Sequence, residues 1–497
     1  MNKPTPFTDE YLRQVYEDAP LLRDINEAYK DLSLYGYLEH LKIAYTDRNE
    51  PGIDPVIESA VRDYATALIG EKDTESCIEV LRRTGLFHTA DHHVVNFHAM
   101  SFQGNLLFEY LINMSFESAA VPFFSCSSIS MSNAFYPRGI IIYDTPEGSQ
   151  RSIPLFPYRM RKVTVSQTKP FTADMLEKAA SEICRLRSSG GMSDEAAWAA
   201  LEIIDNAYSD SDVLKCQTYG QQITLTNRIL SERYFTDRSS RQIFLELEEV
   251  SMRVICHDLE DEESFLYKTL FNGAVLDLIR ENLDGVSGCW TGDLGGTFLF
   301  WGVDEKKRLY RLNGEFEQSG LIASIRFYGT DLDGNEHSFS LDRSSLIEAL
   351  RSYQLIPGLF VTFFALAIAR DVTLLGGCYQ GRYVRSMCQG IRDAWQKAVT
   401  DIDGRTLDWL YSFDKKRFPY LTGPLYLFEK NSASYHPLGS VEMWVDPISR
   451  KEYRQKLDIS FTDAQKLGLY CFYPDSIPPH KRADDWWNHV STELLPR

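Results

Sequence analysis

Residues 87–124 read FHTADHHVVNFHAMSFQGNLLFEYLINMSFESAAVPFF, and the order of patterns in this stretch decides the fold class. A histidine-rich loop, Phe87–His98, precedes Gly104–Asn113, which has helical character. Val121–Phe124 follows as a short apolar and aromatic run that is typical of a buried strand. A loop, a helix and a strand in this order indicate an α/β unit. We therefore predict an α/β fold.

The segment before this unit is predicted to be helical. Apolar residues recur at helical spacing between Val56 and Leu68, and Gly70 ends that pattern. Glu71–Arg83 is a further helix, which Gly85 ends. Residues 1–85 thus form a helical N-terminal region.

Both flanks of the chain's middle show α/β patterns. The strands predicted before it, in residues 86–170, include Gly139–Tyr143, Ile153–Phe156 and Lys162–Val165. Residues 171–284 are predicted to be helical throughout, with helices at Ala173–Ser188, Asp194–Tyr208, Gln221–Arg233, Arg241–Leu259 and Glu263–Asn282. We interpret this block as a helical, coiled insertion that splits one core.

The second part of the core is predicted at residues 285–400. It contains a hairpin, Thr297–Trp301 with Arg308–Leu312, and a short strand, Val372–Leu375, that runs into glycines and a helix. Residues 401–497 form a mixed, aromatic-rich C-terminal region.

The composition of the 497 residues limits the function classes. Lys and Arg number 52 and Asp and Glu 70, a net charge of −18, while hydrophobic residues make up 44%. The apolar content excludes a disordered chain. The acidic balance argues against nucleic-acid binding, because such proteins carry a basic surface that neutralises phosphates.

Cysteine usage and hydropathy predict a cytoplasmic protein that does not bind membranes. The nine cysteines are scattered and form no Cys-x-x-Cys pair. Met1–Tyr16 lacks the apolar centre of a signal peptide. Leu355–Ala369, the longest apolar stretch, falls short of the ~20 residues that a spanning helix needs, so we expect a buried helix.

Four of the ten histidines fall within residues 88–98. Histidine titrates near neutral pH and is the commonest metal ligand, so three interpretations stay open. In the first, His92 or His93 is a general base that Asp91 orients, with His88 as a further catalytic residue. In the second, His88, Asp91, His92 and His98 bind a metal. In the third, the histidines are structural.

Two glycine-containing loops are further candidates. Gly376 and Gly377 lie between a predicted strand and a helix, where a ligand can approach the backbone and the helix N-terminus favours an anion. The Gly288–Thr297 loop contains Asp293, a candidate substrate-binding residue, and Cys289, which could be a nucleophile. The alternative for the Gly376 segment is a tight strand-to-helix turn, and an irregular turn before a hairpin is the simpler interpretation of the Gly288–Thr297 loop.

Two stretches resemble the cysteine-adding enzymes of bacillithiol biosynthesis. Residues 89–92 with 103–106 are similar to a Thr-Gly-Gln-Gln-like loop and the glycine-containing segment that follows it in that family. Residues 376–383 are similar to its Gly-Gly-Pro-x-Glu-x-x-Tyr-like segment, with Gln380 where the acidic residue stands. The resemblance implies a Rossmann-like core with a helical coiled insertion, and nucleotide or amino-acid binding.

These observations lead to a main hypothesis, a cytoplasmic ligase- or transferase-like enzyme of small-molecule biosynthesis. It would join or transfer an amino-acid-like building block where the His88–His98 loop and the Gly376 loop meet at the carboxyl edge of one parallel sheet. The cofactor would be a nucleotide or a divalent metal, and oligomer formation is left open. The predicted substrate-binding residues are His98, Gln103, Asn105, Gly376, Gly377, Gln380, Tyr383 and Asp293.

Two alternatives remain beside that hypothesis. One is a metal-dependent hydrolase or oxygenase that uses the His and Asp set. The other is a non-catalytic interaction protein whose aromatic C-terminal region docks a partner.

Overall fold

A computed structural model describes residues 6–18, 20–45, 52–145, 150–237, 240–286, 288–291, 296–370, 372–377, 380–413, 428–430 and 435–466, with 477, 480 and 482. In these residues the chain is a mixed α/β protein whose helices pack around small sheets of two or three strands. The α/β class is therefore confirmed. None of the helices in this part of the chain has the length and apolarity needed to cross a membrane.

The N-terminal region is helical, as predicted. Its helices are α1 (Pro6–Asp18), α2 (Pro20–Tyr29), α3 (Leu34–Tyr45), α4 (Pro55–Ile69) and α5 (Glu71–Thr84). The Asp54 side chain accepts the backbone N–H of Val56 and caps α4. Gly85 ends α5 in the left-handed conformation (φ 59°), which glycine adopts without a Cβ clash.

The α/β unit predicted from residues 87–124 is present. It consists of β1 (Leu86–His88), α6 (Ala99–Ser115) and β2 (Ala120–Ser125), followed by the antiparallel pair β3 (Gly139–Ile142) and β4 (Arg151–Pro154). The strand predicted at Lys162–Val165 is wrong. That segment makes one bridge, between Ser130 and Thr164, and then turns into a 3-10 helix.

The segment from 171 to 284 is not wholly helical, which corrects the predicted insertion. It contains α7 (Ala173–Ser188), α8 (Asp194–Ile203), α9 (Ser211–Leu214), α10 (Tyr219–Ser231), β5 (Arg241–Glu246), α11 (Leu247–Glu260), α12 (Phe265–Leu270) and α13 (Gly273–Asn282). Strand β5 pairs in parallel with β2, so this segment supplies one strand of the parallel pairs. A short apolar run buried on both sides has no periodicity that separates strand from helix.

The remaining described residues add antiparallel sheets and helices. They form β6 (Phe300–Val303), β7 (Leu309–Arg311), β8 (Asn313–Ser319), β9 (Ile322–Thr330), β10 (Glu336–Asp342), α14 (Arg343–Arg351), β11 (Leu355–Pro357), α15 (Leu359–Phe363), β12 (Thr373–Leu375), α16 (Gln380–Ala398), α17 (Gly404–Ser412), β13 (Phe428–Lys430), β14 (Tyr435–Pro437), α18 (Ser440–Val445) and α19 (Arg450–Lys456). The predicted hairpin is β6 with β7, and a π-helical turn, Phe364–Ile368, continues α15. The apolar stretch after Leu355 is thus buried helix for most of its length, as predicted.

Two parallel pairs of strands, β12 with β1 and β2 with β5, adjoin in the order β12, β1, β2, β5. β1 pairs with β12 and β2 with β5. Past the end of β1, the Cys126 N–H donates to the Asp91 carbonyl (2.9 Å) and the His93 N–H donates to the Cys126 carbonyl (2.7 Å), a parallel bridge that joins the two pairs. β1 precedes the segment 171–284 and β12 follows it, so strands from both sides of that segment pair with each other.

Candidate active site at the carboxyl edge of the parallel strands

The histidine loop and the Gly376 segment meet, as the main hypothesis predicted. Because β1 and β12 are parallel and in register, both segments leave the same edge of the strands. The Thr89 N–H donates to the Leu375 carbonyl (2.8 Å), and the Thr89 hydroxyl donates to Gln380 Oε1 (2.9 Å). The two loops are therefore joined directly by hydrogen bonds.

His92 is the histidine whose environment suits a general base. Its Nδ1 lies 3.0 Å from Asn133 Oδ1, an oxygen that also accepts the Phe135 N–H (3.0 Å). Because Asn133 Oδ1 is an acceptor, Nδ1 carries the proton and Nε2 presents its lone pair. Burial lowers the pKa of His92 to about 4, so the ring is neutral at neutral pH. A neutral imidazole held at one nitrogen can take up a proton at the other.

His98 lies on the other side of the Phe135 ring. The ring centroids of His98 and Phe135 are 4.4 Å apart and nearly stacked, while His92 meets the same ring edge-on at 4.5 Å. Burial and the neighbouring His92 lower the pKa of His98 to about 4. His92, His98 and Phe135 thus form one half-buried aromatic cluster.

His93 cannot act as the base, which corrects one of the predicted roles. Its Nδ1 lies 2.7 Å from the Ser125 hydroxyl and its Nε2 lies 2.9 Å from the Gly220 carbonyl. With both ring nitrogens engaged and the residue fully buried, His93 fastens the end of β2 to the start of α10. Its role is structural.

Asp91 does not orient His92 or His93. Its Oδ1 accepts the Ser101 hydroxyl, and its Oδ2 lies 3.9 Å from Nδ1 of His88. Both residues are buried, and burial raises the pKa of Asp91 to about 7 and lowers that of His88 to about 3. Asp91 is therefore about half protonated at pH 7, and His88 stays neutral. The orienting role that we assigned to Asp91 belongs to Asn133.

His88 is enclosed by aromatic rings and has no contact with a ligand site. The rings of Phe108 and Phe123 lie 5.0 Å from its imidazole, and neither of its nitrogens has a hydrogen-bond partner among the described residues. His88 is buried, so its surroundings do not support the catalytic role predicted for it.

Two predicted substrate-binding residues lie inside helix α6. Gln103 is buried and donates from Nε2 to the Leu438 carbonyl (2.9 Å). Asn105 is fully buried, one helical turn after Ser101. Neither side chain reaches the open edge of the strands, so direct substrate contact is not their role.

The Gly376 segment keeps its place in the site. A Cβ on Gly376 would approach the buried Gln380 side chain to 1.6 Å, so this position needs glycine. Gly377 is half-buried and its carbonyl accepts the Gln380 N–H (3.0 Å). Tyr383, half-buried on α16, stacks on Phe363 with the ring centroids 5.9 Å apart.

The third loop gives no support to a nucleophile. Cys289 is buried, and burial raises the pKa of its thiol to about 12, so the thiolate is absent at neutral pH. Asp293 lies outside the described residues.

The metal hypothesis requires ligands that converge. Within the described ranges, no three His, Cys, Asp or Glu side chains are grouped so that they could hold a metal ion. His88 and Asp91 are sealed below the edge, while His92 and His98 turn to Phe135. The four residues that we considered as ligands therefore do not form one set.

Sequence reasoning missed the residues that fix His92. Asn133 and Phe135 follow β2 in an irregular loop, and Glu248 lies at the start of α11. The Glu248 carboxylate accepts the N–H groups of Ser127 (2.7 Å) and Ser128 (2.9 Å), which holds the loop after β2. The acidic run Glu246-Leu247-Glu248-Glu249 marks the place where β5 ends and α11 begins. The predicted helix Arg241–Leu259 included this run in its interior, so the end of the strand was missed.

His88 makes stability dependent on pH. Folded His88 has a pKa of about 3, whereas a histidine in the unfolded chain has a pKa of about 6.5. Below pH 6.5 the unfolded chain therefore binds a proton that the folded chain does not bind, and the free energy of unfolding falls as the pH falls. We expect His88→Leu to lose about 2 kcal/mol less than the wild type between pH 7.5 and pH 5. Urea unfolding at the two pH values measures this difference. Equal losses in both proteins would show that His88 is protonated in the folded state.

Comparison of the chain with protein-family models, with curated proteins and with solved structures finds no match.

Proposed function

We propose that the protein is an enzyme of small-molecule biosynthesis that joins or transfers an amino-acid-like building block. The observation that carries the proposal is the parallel pairing of β1 with β12, together with the Thr89–Gln380 hydrogen bond. These contacts bring the histidine loop and the glycine segment to one edge, where open α/β sheets bind their ligands. The resemblance to the cysteine-adding enzymes of bacillithiol biosynthesis involves the same two segments.

The core of this enzyme would be Rossmann-like. The order β12, β1, β2, β5 and the helix α6 between β1 and β2 support that interpretation. Helix α10 precedes β5 and begins where His93 reaches the Gly220 carbonyl, so helices adjoin these strands as the class requires.

In the proposed reaction, Nε2 of His92 accepts the proton of an amine or thiol nucleophile. The nucleophile then attacks an electrophilic carbon of the second substrate, and the leaving group departs with its electron pair. Asn133 keeps the base in one tautomer, and the Phe135 ring fixes its plane. A ligase would need ATP to create the leaving group, whereas a transferase would receive an activated substrate.

The glycine segment would hold the anionic part of a substrate or nucleotide. Gly376 has no Cβ, and α16 begins four residues later. A helix N-terminus presents backbone N–H groups and a positive end of the helix dipole to an anion.

A search for the reaction tests this proposal. The purified protein is incubated with a protein-free extract of small molecules, with and without ATP, and the mixture is followed by mass spectrometry. We expect a product that joins two consumed compounds, formed only with active protein. A protein that consumes nothing in either mixture would favour the non-catalytic alternative. Turnover that appears only after zinc, iron or manganese is added would instead favour the metal hypothesis.

A further inference from the structure

A polar cavity of about 410 Å³ lies at the carboxyl end of β5. Its lining includes Glu246, the last residue of that strand, and side chains from α4, α11 and the start of α10. None of its lining residues belongs to the histidine loop or to the Gly376 segment. The volume is that of a small-molecule site, and the position is the edge at which parallel strands bind ligands.

The floor of the cavity is acidic. Glu246 is 5% exposed, and the Tyr64 hydroxyl donates to its Oε1 (3.1 Å). A Cβ on Gly220 would lie 2.3 Å from the same oxygen, so glycine makes room for the carboxyl group there. Glu249, one turn further along the chain, lines the cavity and is paired with Arg253 (2.7 Å). Two carboxyl groups thus share this floor with a single guanidinium.

The opposite charge is found on two exposed lysines that also line the cavity, Lys169 and Lys307. Neither ammonium group has an ion-pair partner among the residues that the structure describes. Lys307 has a left-handed backbone (φ 62°), and its carbonyl accepts the Thr164 N–H (3.2 Å), so its position is fixed.

We propose that this cavity binds a small zwitterion. Glu246 and Glu249 hold its ammonium group, and Lys169 and Lys307 hold its carboxylate or phosphate. A buried carboxylate is costly unless a cation or hydrogen-bond donors satisfy it, and an ammonium group supplies both. Burial, and then the charges of Glu249 and Glu248, raise the pKa of Glu246 to about 8, and a bound ammonium group would lower this pKa.

Two series of probes test the proposal on the full-length chain. One contains ω-amino carboxylates and the other ω-amino phosphonates, each with two to six carbons between the charged groups. Isothermal titration calorimetry should detect binding of at least one compound. The series to which that compound belongs shows whether the site prefers a carboxylate or a phosphonate. The N-acetyl derivative of that compound should not bind, because it lacks the ammonium charge.

Matched variants locate the binding. Glu246→Gln keeps the shape of the side chain and should weaken the binding of the best probe at least tenfold. Lys169→Ala combined with Lys307→Ala, on exposed positions that leave the fold intact, should do the same, and Lys178→Ala, on the exposed face of α7, should have no effect. The proposal is overturned if neither series binds at 10 mM, on the order of the weakest affinity of interest, or if the N-acetyl derivative binds equally. It is also overturned if either lining variant binds as the wild type does. Each of these results is a binding measurement, so it is independent of whether the reaction proposed at His92 is found.

Discussion

His92→Ala is expected to lower kcat/KM of the proposed reaction by about 10²- to 10⁴-fold, the range that a positioned general base contributes. His92 is the histidine of the cluster with one nitrogen fixed by Asn133 and the other directed away from that bond. Steady-state kinetics on the substrate found by mass spectrometry would measure the loss. The control is His257→Ala, on the exposed surface of α11, which should leave the rate unchanged.

The pH profile separates a base from a merely structural residue. Burial holds the pKa of His92 at about 4, so the base is lost only as the pH falls towards that value. The rate should therefore stay level between pH 6 and 8 and decline below about 5. In Asn133→Ala, Nδ1 loses its acceptor, and the rate should fall while KM changes little. A His92→Ala enzyme that remains fully active would remove His92 from the mechanism.

The largest expected effect on stability comes from Asp73→Ala. Asp73 on α5 is 3% exposed and binds two arginines, Arg228 Nε at 2.8 Å and Arg241 Nε at 3.0 Å. Its removal leaves both guanidinium groups without their carboxylate at the packing surface between α5, α10 and β5. Breaking a buried pair costs about 3–5 kcal/mol, and both arginines keep some hydration, so we expect about 3 kcal/mol. Urea unfolding measures the change.

The same helix supplies the matched control. Glu79 pairs with Arg83 at the surface of α5, where both side chains are nearly half exposed. Glu79→Ala should cost under about 0.5 kcal/mol, as exposed pairs one turn apart do. Similar losses in the two variants would mean that Asp73 is hydrated and that its two ion pairs contribute little.

The helices and strands that were predicted correctly from the sequence are those whose local pattern has a single physical interpretation. Helices α4 and α5 carry apolar residues at helical spacing and end at glycines, and the sequence of α6 and then β2 followed from the change of pattern alone. Strand β5 was not predicted from the sequence, because Ile243-Phe244-Leu245 is apolar without alternating polar residues. It is buried on both faces between β2 and the helices, so neither the period of a strand nor that of a helix is imprinted on it.

The candidate site was predictable as a location but not as a mechanism. Histidine density and paired glycines marked the two loops, and the parallel edge brought them together as expected. The sequence left open whether His92 or His93 is the base, because it does not show to which side each neighbouring side chain of the loop turns. In the structure His93 turns into the protein towards Ser125, while its neighbour His92 turns towards Asn133.

The sequence by itself determined the α/β class, the helical beginning of the chain and the two loops that form the edge. Those features depend on local propensity, hydrophobic period and glycine chemistry, all of which are readable within a few residues. Only the tertiary structure decided that β5 stands beside β2, that Asn133 rather than Asp91 contacts the His92 ring, and that Glu246 lines the same cavity as two lysines. These are contacts between residues tens to more than a hundred positions apart, and burial and hydrogen bonding at that range depend on the packed fold and not on any local pattern.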